Sequence, residues 1–211
     1  MQVIIHTGES ADHAGSAKAI FEGISQRSAS STPVIYIHTS GTGVISDSHH
    51  GDVEGKKIYD DVKPEDIDAL DSNQPHRKVD IFVRDKAKEF QSKSKTVIII
   101  PPNIYGVGTG PVNQISIQTP TLIRFALKHK FVSLRAGREQ LLLTSFTSKA
   151  PQVGAGVNWW NNVHVKDLGR GYVFLLKELE RTSETGWNGY WFAETEEHQC
   201  ESGARSHLVV F

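Results

Sequence analysis

The chain has 211 residues, enough for one ordinary domain, or one with a small appendage, to bury a core without covalent staples. Its 23 basic and 24 acidic residues leave a net charge of -1, which excludes the basic field of a nucleic-acid or anionic-membrane binder and favours a small-molecule or protein partner. The single cysteine, Cys200, excludes an intramolecular disulfide and a cysteine zinc cluster, no run approaches the roughly 20 apolar residues of a membrane span, and the apolar start is too short for a signal peptide; a cytoplasmic protein without membrane association is expected.

Val3 to Ile5 is a short β-branched run that ends in His6-Thr7-Gly8, and Ala14 to Ile24 has apolar positions at helical spacing. Pro33 to His38 is apolar without alternation, the mark of a strand buried on both faces, and Thr39 to Gly43 closes it with hydroxyls and glycines. From Val44 to Arg77 the chain turns polar and reads as a surface excursion. Val79, Phe82, Val83 and Ala87 then form one stripe of a helix reaching Phe90, and Thr96 to Ile100 is a second fully apolar strand stopped by Pro101-Pro102.

Alternating strands and helices predict an α/β fold with a parallel sheet covered on both faces. Ligands of such sheets lie beyond the carboxyl ends of the strands, here His6 to Gly8, Thr39 to Gly43 and Pro101 to Gly110. After Gly110 the spacing predicts a helix over Thr119 to His129, a short strand at Val163 to Val165, an apolar helix from Asp167 to Leu179, and a last strand from Trp187 to Ala193. His49 and His50 read as surface loop rather than as partners of His38 in a metal site: adjacent residues point apart on an extended chain and no carboxylate at ligand spacing completes a set, so no metal is expected. His164 reads as a packed or capping residue, and Trp159-Trp160 as core.

Two motifs in order carry a resemblance: Pro101-Pro102-Asn103-Ile104-Tyr105-Gly106-Val107-Gly108, preceded by Val97 to Ile100, and later Val163-His164-Val165-Lys166-Asp167-Leu168. Together they resemble the extended short-chain dehydrogenases, relatives of the nucleotide-sugar epimerases and dehydratases. Ile104 to Pro111, Gln118-Thr119-Pro120 and Asn158-Trp159 are similar to an atypical branch of NAD(P)-dependent oxidoreductases. The resemblance implies that residues 1–110 are the C-terminal part of a Rossmann-like, partly doubly wound sheet, with Met1 to His6 as the family's fourth strand. Residues 111–211 would form a smaller, mixed α/β substrate-binding region. The family's glycine-rich turn, which holds the dinucleotide pyrophosphate on free backbone N–H groups, has no counterpart in this sequence.

The cofactor so implied is NAD or NADP, held by His6, Thr7, Thr39, Lys86, Pro101, Pro102, Asn103, Ile104 and Tyr105, and the substrate is a small carbonyl or alcohol. Thr39, Ser40 and Thr42 stand where the family keeps the hydroxyl that orients the reacting carbonyl oxygen; they are equally a polar loop at a strand end. The family's Tyr-x-x-x-Lys acid registers best with Phe82-Val83-Arg84-Asp85-Lys86, and phenylalanine has no proton to give. Catalytic candidates are therefore Thr39, Ser40 and Lys86, although a lysine on a charged helix also serves as a solvated face.

Phe131 to Ala150 matches nothing in the family and reads as a retained intron, since Val132-Ser133 can be encoded by the bases of a common splice donor; residues after His198 also leave the pattern. Three functions follow from the sequence. The first is an NAD(P)-dependent oxidoreductase or epimerase-like enzyme, with a homodimer possible. The second is a truncated, non-catalytic remnant whose new sheet edge makes the Val97 to Ile100 region an aggregation hazard. The third is a dinucleotide sensor without turnover.

Overall fold

Strands free of polar alternation can be satisfied only where both faces are covered, and that is how the strands at Val34–Thr39 and Ser94–Ile100 are arranged. The computed structural model describes residues 2–28, 30–128 and 155–199; the segment from Phe131 to Ala150 and the end from Cys200 onward, singled out above as departures, lie outside them. The chain divides into two compact units, one comprising residues 1–46, 57–102 and 167–194, the other 47–56, 103–166 and 195–211.

The first unit contains β1 (Val3–His6), α1 (Ala14–Ser25), β2 (Val34–Thr39), a 3-10 turn at Thr42–Ile45, α2 (Pro64–Asp68), α3 (Arg77–Glu89) and β3 (Ser94–Ile100). To these the chain returns with most of α5 (Val165–Arg181) and with β6 (Gly186–Phe192). The four strands pair in the order β1-β2-β3-β6, all parallel. Register aligns His6 with His38 and Thr39 with Ile99, so the strand ends terminate together. β2 and β3 are the central strands, as their continuous apolar character predicted, and β1 is an edge strand with Val3 and Ile5 exposed. The Val97 to Ile100 run, expected to border an open edge, is instead buried between β2 and β6, with one register shift against β6 at Val97.

On one face of the sheet, Tyr36, Ile98, Ile100 and Tyr190 pack with Phe21 and Ile24 of α1 and with Val79, Val83 and Ala87 of α3. Lys95, whose neighbours Thr96 and Ser94 face α3's side, reaches the other way and caps the end of α5 by donating to the carbonyls of Leu179 (2.8 Å) and Thr182 (2.6 Å). The polar excursion before α3 proves to be more than surface. Val44 and Ile67 are core residues, and Asp68 accepts from Tyr190 Oη (2.8 Å) and Arg84 (2.8 Å). Arg77, fully buried, donates to Tyr190 Oη (3.0 Å) and to the Asp68 carbonyl (3.1 Å), so three separated elements are tied by one charged cluster. Burial alone would raise the Asp68 carboxyl, but the hydrogen bonds from Arg84 and Tyr190 hold it below the usual range.

In the second unit, β4 (Asn103–Tyr105), β5 (Trp159–His164) and β7 (Glu196–Gln199) form a sheet in the order β4-β5-β7, with β4 parallel and β7 antiparallel to β5, and α4 (Gln118–Lys128) accompanies it. The strand predicted around Val163 is β5, and it stops one residue early because Val165 opens α5. His164 caps that helix start, its Nδ1 accepting from the Lys166 backbone N–H (3.2 Å). Its ring lies so close beneath Gly106, at φ 95°, that any side chain there would collide with it, which explains the glycine of the Tyr105-Gly106 turn. Trp159, read from sequence as core, is about half exposed and donates its indole N–H to Glu54 (2.7 Å). His49 and His50 are exposed, as read.

Candidate functional site

The carboxyl ends of β1, β2 and β3 meet in the first unit, and they bring together several residues singled out from the sequence. β2 ends on Thr39, whose carbonyl accepts from Ser10 Oγ (2.7 Å), so the loop after β1 is tied to β2. Ser40 N–H donates to the Ile99 carbonyl (2.9 Å), and Thr42 N–H to that of Pro101 (3.1 Å), which fixes the glycine turn against the end of β3. His6 closes β1, with Thr7 exposed after it. Pro101 and Pro102 end the first unit's share of this stretch, both buried; Asn103, Ile104 and Tyr105 form β4 in the second unit. There Asn103 Nδ2 donates to Asn162 (3.1 Å) and Thr119 (3.3 Å), and the Tyr105 ring meets His164 edge-on at 5.2 Å.

Alternation along β2 sends its hydroxyls to opposite faces. Thr39 Oγ1 shares a 2.6 Å hydrogen bond with Tyr172 Oη of α5, whose phenol burial raises against the opposing effect of that bond. Ser40, on the α3 side, donates to Asp80 Oδ2 at 2.8 Å. Asp80 is fully buried, and burial pushes its carboxyl up to about 6, against the hydrogen bond from Ser40 and the charge of Arg77.

A line of polar groups leads away from Asp80 along the same face. His38 Nε2 is 3.8 Å from Asp80 Oδ1, His38 Nδ1 is 3.1 Å from Tyr36 Oη, and Tyr36 Oη is 3.2 Å from His6 Nδ1. Burial, with His6 adding to it, pushes His38 down to about 3, so it is neutral near pH 7 and its contact with Asp80 is not an ion pair. Burial likewise raises the Tyr36 phenol and, with His13 nearby, lowers His6. His38 Nε2 and Asp80 Oδ1 are both buried without a hydrogen-bond partner, a costly arrangement in a native core.

Lys86 lies apart from this cluster: its ammonium pairs with Glu89 (2.6 Å) over the Phe90 ring. Phe82 packs edge-on against Phe21 of α1. The residue of α3 that faces the strand-end hydroxyl is thus Asp80, and the sequence reading did not select it. Neither did it select His76, which stands just before α3 at φ 66°, a conformation a non-glycine side chain adopts at a cost. Its Nδ1 meets Asp12 Oδ1 at 2.9 Å while its Nε2 packs over Gly41 and Gly43. The only sequence signal for either was position, at the start of a helix whose apolar stripe was already assigned. Among the described residues no cluster of three metal-binding side chains occurs, and no helix is long and apolar enough to cross a membrane.

Comparison with solved structures places this arrangement of strands. The UDP-glucuronic acid 4-epimerase of Bacillus cereus, solved with NAD, superposes over 95% of this chain and 56% of its own with a TM-score of 0.53 at 13% identity. Over the part it covers, the chain shares the fold of this sugar epimerase. The UDP-glucose 4-epimerases of Thermus thermophilus, in complex with NAD, and of Thermotoga maritima, with UDP-glucose, share that epimerase fold at TM-scores of 0.52 and 0.51, with 15% and 12% identity; each covers 97% of this chain, and 60% and 59% of its own. In sequence, an oxidase of Acremonium sp, UcsJ, is 27% identical over 216 residues, covering 93% of this chain and 55% of the oxidase. No protein-family model matches. The chain spans little more than half the length of these relatives.

Proposed function

We propose that this chain supplies the carbonyl-orienting part of a nicotinamide-dinucleotide oxidoreductase or epimerase-like enzyme acting on a small carbonyl or alcohol. The observation that carries the reading is the convergence of Thr39 and Ser40 with the ends of β1 and β3 at the carboxyl edge of a parallel sheet of epimerase fold. Ser40, or Thr39 with Tyr172 behind it, would hold the substrate oxygen. NAD or NADP, when bound, would supply the hydride chemistry.

The chemistry of the donor set fits the nicotinamide end of such a cofactor. Hydroxyls, backbone groups and an unobstructed Gly8 stand at the strand ends, so His6, Thr7, Thr39, Pro101 and Pro102 would contact it there, with Asn103, Ile104 and Tyr105 following in the chain. Lys86, paired with Glu89, is left to its helix surface.

Binding without turnover is favoured by one observation, the packing of Phe82 against Phe21, which leaves no tyrosine-lysine acid on α3. Titrating the 211-residue chain with NADPH and NADH, by nicotinamide fluorescence and thermal stability, tests the common element: saturable binding should raise the melting temperature by mass action. A folded chain that shows neither response removes both readings. Turnover across a carbonyl panel then separates enzyme from sensor.

A further inference from the structure

We propose that Asp80 is a positioning residue that sets the hydrogen-bond polarity of Ser40: as a carboxylate it holds the Ser40 hydroxyl proton, and as a carboxylic acid it donates to Ser40 Oγ and frees that proton for a bound carbonyl oxygen. The inference rests on the reading of Ser40 as the group that orients the substrate oxygen.

A serine hydroxyl has one proton and two lone pairs. At 2.8 Å the proton is committed to Asp80 Oδ2, so in this state Ser40 can only accept, which suits the O–H of an alcohol. A proton on Oδ2 reverses the bond, and the buried Ser40 then has its own proton to donate, which suits a carbonyl. One buried proton, exchanged between the Asp80 carboxyl and solvent, thus selects between the two redox states of the substrate, with no bond to the substrate made or broken in the selection.

The surroundings allow Asp80 to hold that proton. Its carboxyl is fully buried on α3; its other oxygen, Oδ1, accepts no hydrogen bond and faces the neutral His38 of β2. The charged or titratable groups around it are His38, Arg77 on its own helix, His76 just before it, and Asp12 ahead of α1. Arg77 directs its two terminal nitrogens to Tyr190 and the Asp68 carbonyl, its buried Nε has no hydrogen-bond partner, and His76 Nδ1 meets Asp12, so neither forms a hydrogen-bonded ion pair with Asp80.

The same geometry couples Asp80 to a visible reporter. Tyr36 Oη has one proton to place between His38 and His6. With Asp80 ionised, the favoured His38 tautomer carries its proton on Nε2, toward Asp80 Oδ1, and accepts from Tyr36 at Nδ1. With Asp80 protonated on Oδ2, Oδ1 still only accepts, so the same tautomer persists but faces a neutral oxygen in place of a charged one, and the His38 ring nitrogens report that change.

The test is a pH titration of the full 211-residue chain, without cofactor, following the carboxylic C=O infrared band and the histidine ring nitrogens by 15N NMR. The wild type should lose one protonated carboxyl near pH 6 and shift the His38 ring-nitrogen resonances in the same range. Ser40→Ala removes the bond that favours the carboxylate, so its carboxyl should persist about half a unit or more higher in pH, and Ser40→Thr should restore the wild-type midpoint. Asp80→Asn should abolish the band and the accompanying shift at His38; if that variant fails to fold, the Ser40 pair decides alone. A carboxyl that titrates at the same pH in wild type and Ser40→Ala, or no protonated carboxyl above pH ~5 in the wild type, overturns the inference. Neither readout needs a dinucleotide, so loss of NADPH binding would sink the proposed function while leaving this result standing.

Discussion

The two faces of β2 are built from alternate residues of one strand, yet they differ in kind. On the α3 side Tyr36, His38 and Ser40 make a buried polar line with His6 and Asp80, and Arg77 anchors the same helix. The opposite set, Ile35 and Ile37, is wholly apolar until Thr39 meets Tyr172 at the strand end. The contrast teaches that one face of β2 stores protons while the other, up to its last hydroxyl, stores packing energy. The first should respond to pH and the second should not.

The largest effect tests the anchored face. Arg77→Ala leaves Tyr190 and Asp68 short of a buried partner and should cost about 3–5 kcal/mol in urea unfolding. A loss near zero would mean that the cluster is ornamental and that the polar face lacks a rigid support. On packing alone, Leu175→Ala on α5 removes a fully buried side chain and should cost about 2–5 kcal/mol, by the same amount at pH 5 and pH 8. A marked pH dependence would place a titrating group behind α5 and erase the contrast.

Asp80→Asn tests the proton store through stability. Asp80, raised to about 6 from an ordinary 3.8, stabilises the fold below its ordinary value, and that contribution is lost as pH rises through about 6. His38, lowered to about 3, contributes above its ordinary 6.5, and its share is lost as pH falls toward 3. The two slopes oppose each other between pH 3.8 and 6, with the lowered His6 adding to the His38 side. Asp80→Asn leaves the His38 slope alone, and its stability relative to wild type should climb by up to about 3 kcal/mol from pH 4 to 7, measured by urea unfolding at each pH. Parallel curves would show that Asp80 titrates as an ordinary carboxylate. The smallest effect belongs to the other hydroxyl: Tyr172→Phe deletes one half-buried hydrogen bond and should cost about 1 kcal/mol, with no change in the pH profile of stability between pH 4 and 8.

Much of the first unit was legible because its signals are local. β1, α1, β2, α3 and β3 appear where apolar runs, helical spacing and the Pro101-Pro102 stop predicted them. The strand-end hydroxyls were legible as well, since a parallel sheet presents its carboxyl ends to ligands. The excursion from Val44 to Arg77 was misjudged: Val44 and Ile67 are single core contacts without periodicity, and a buried arginine carries no apolar signal. The place of β6 beside β3 was likewise invisible, because nothing in Gly186 to Phe192 names its partner strand.

What the sequence determined by itself is the succession of elements and the sidedness of each strand, because backbone propensity and burial pattern act over a few residues. What only the tertiary structure decided is which residue of α3 addresses Ser40. Asp80 and Phe82 are two positions apart, about 200° around a helix, so which way α3 is rolled onto the sheet decides whether a carboxyl or a phenyl ring meets the hydroxyl. That roll is set by Phe82 packing on Phe21 and by Val79, Val83 and Ala87 seating in the core, contacts with partners far away in the chain.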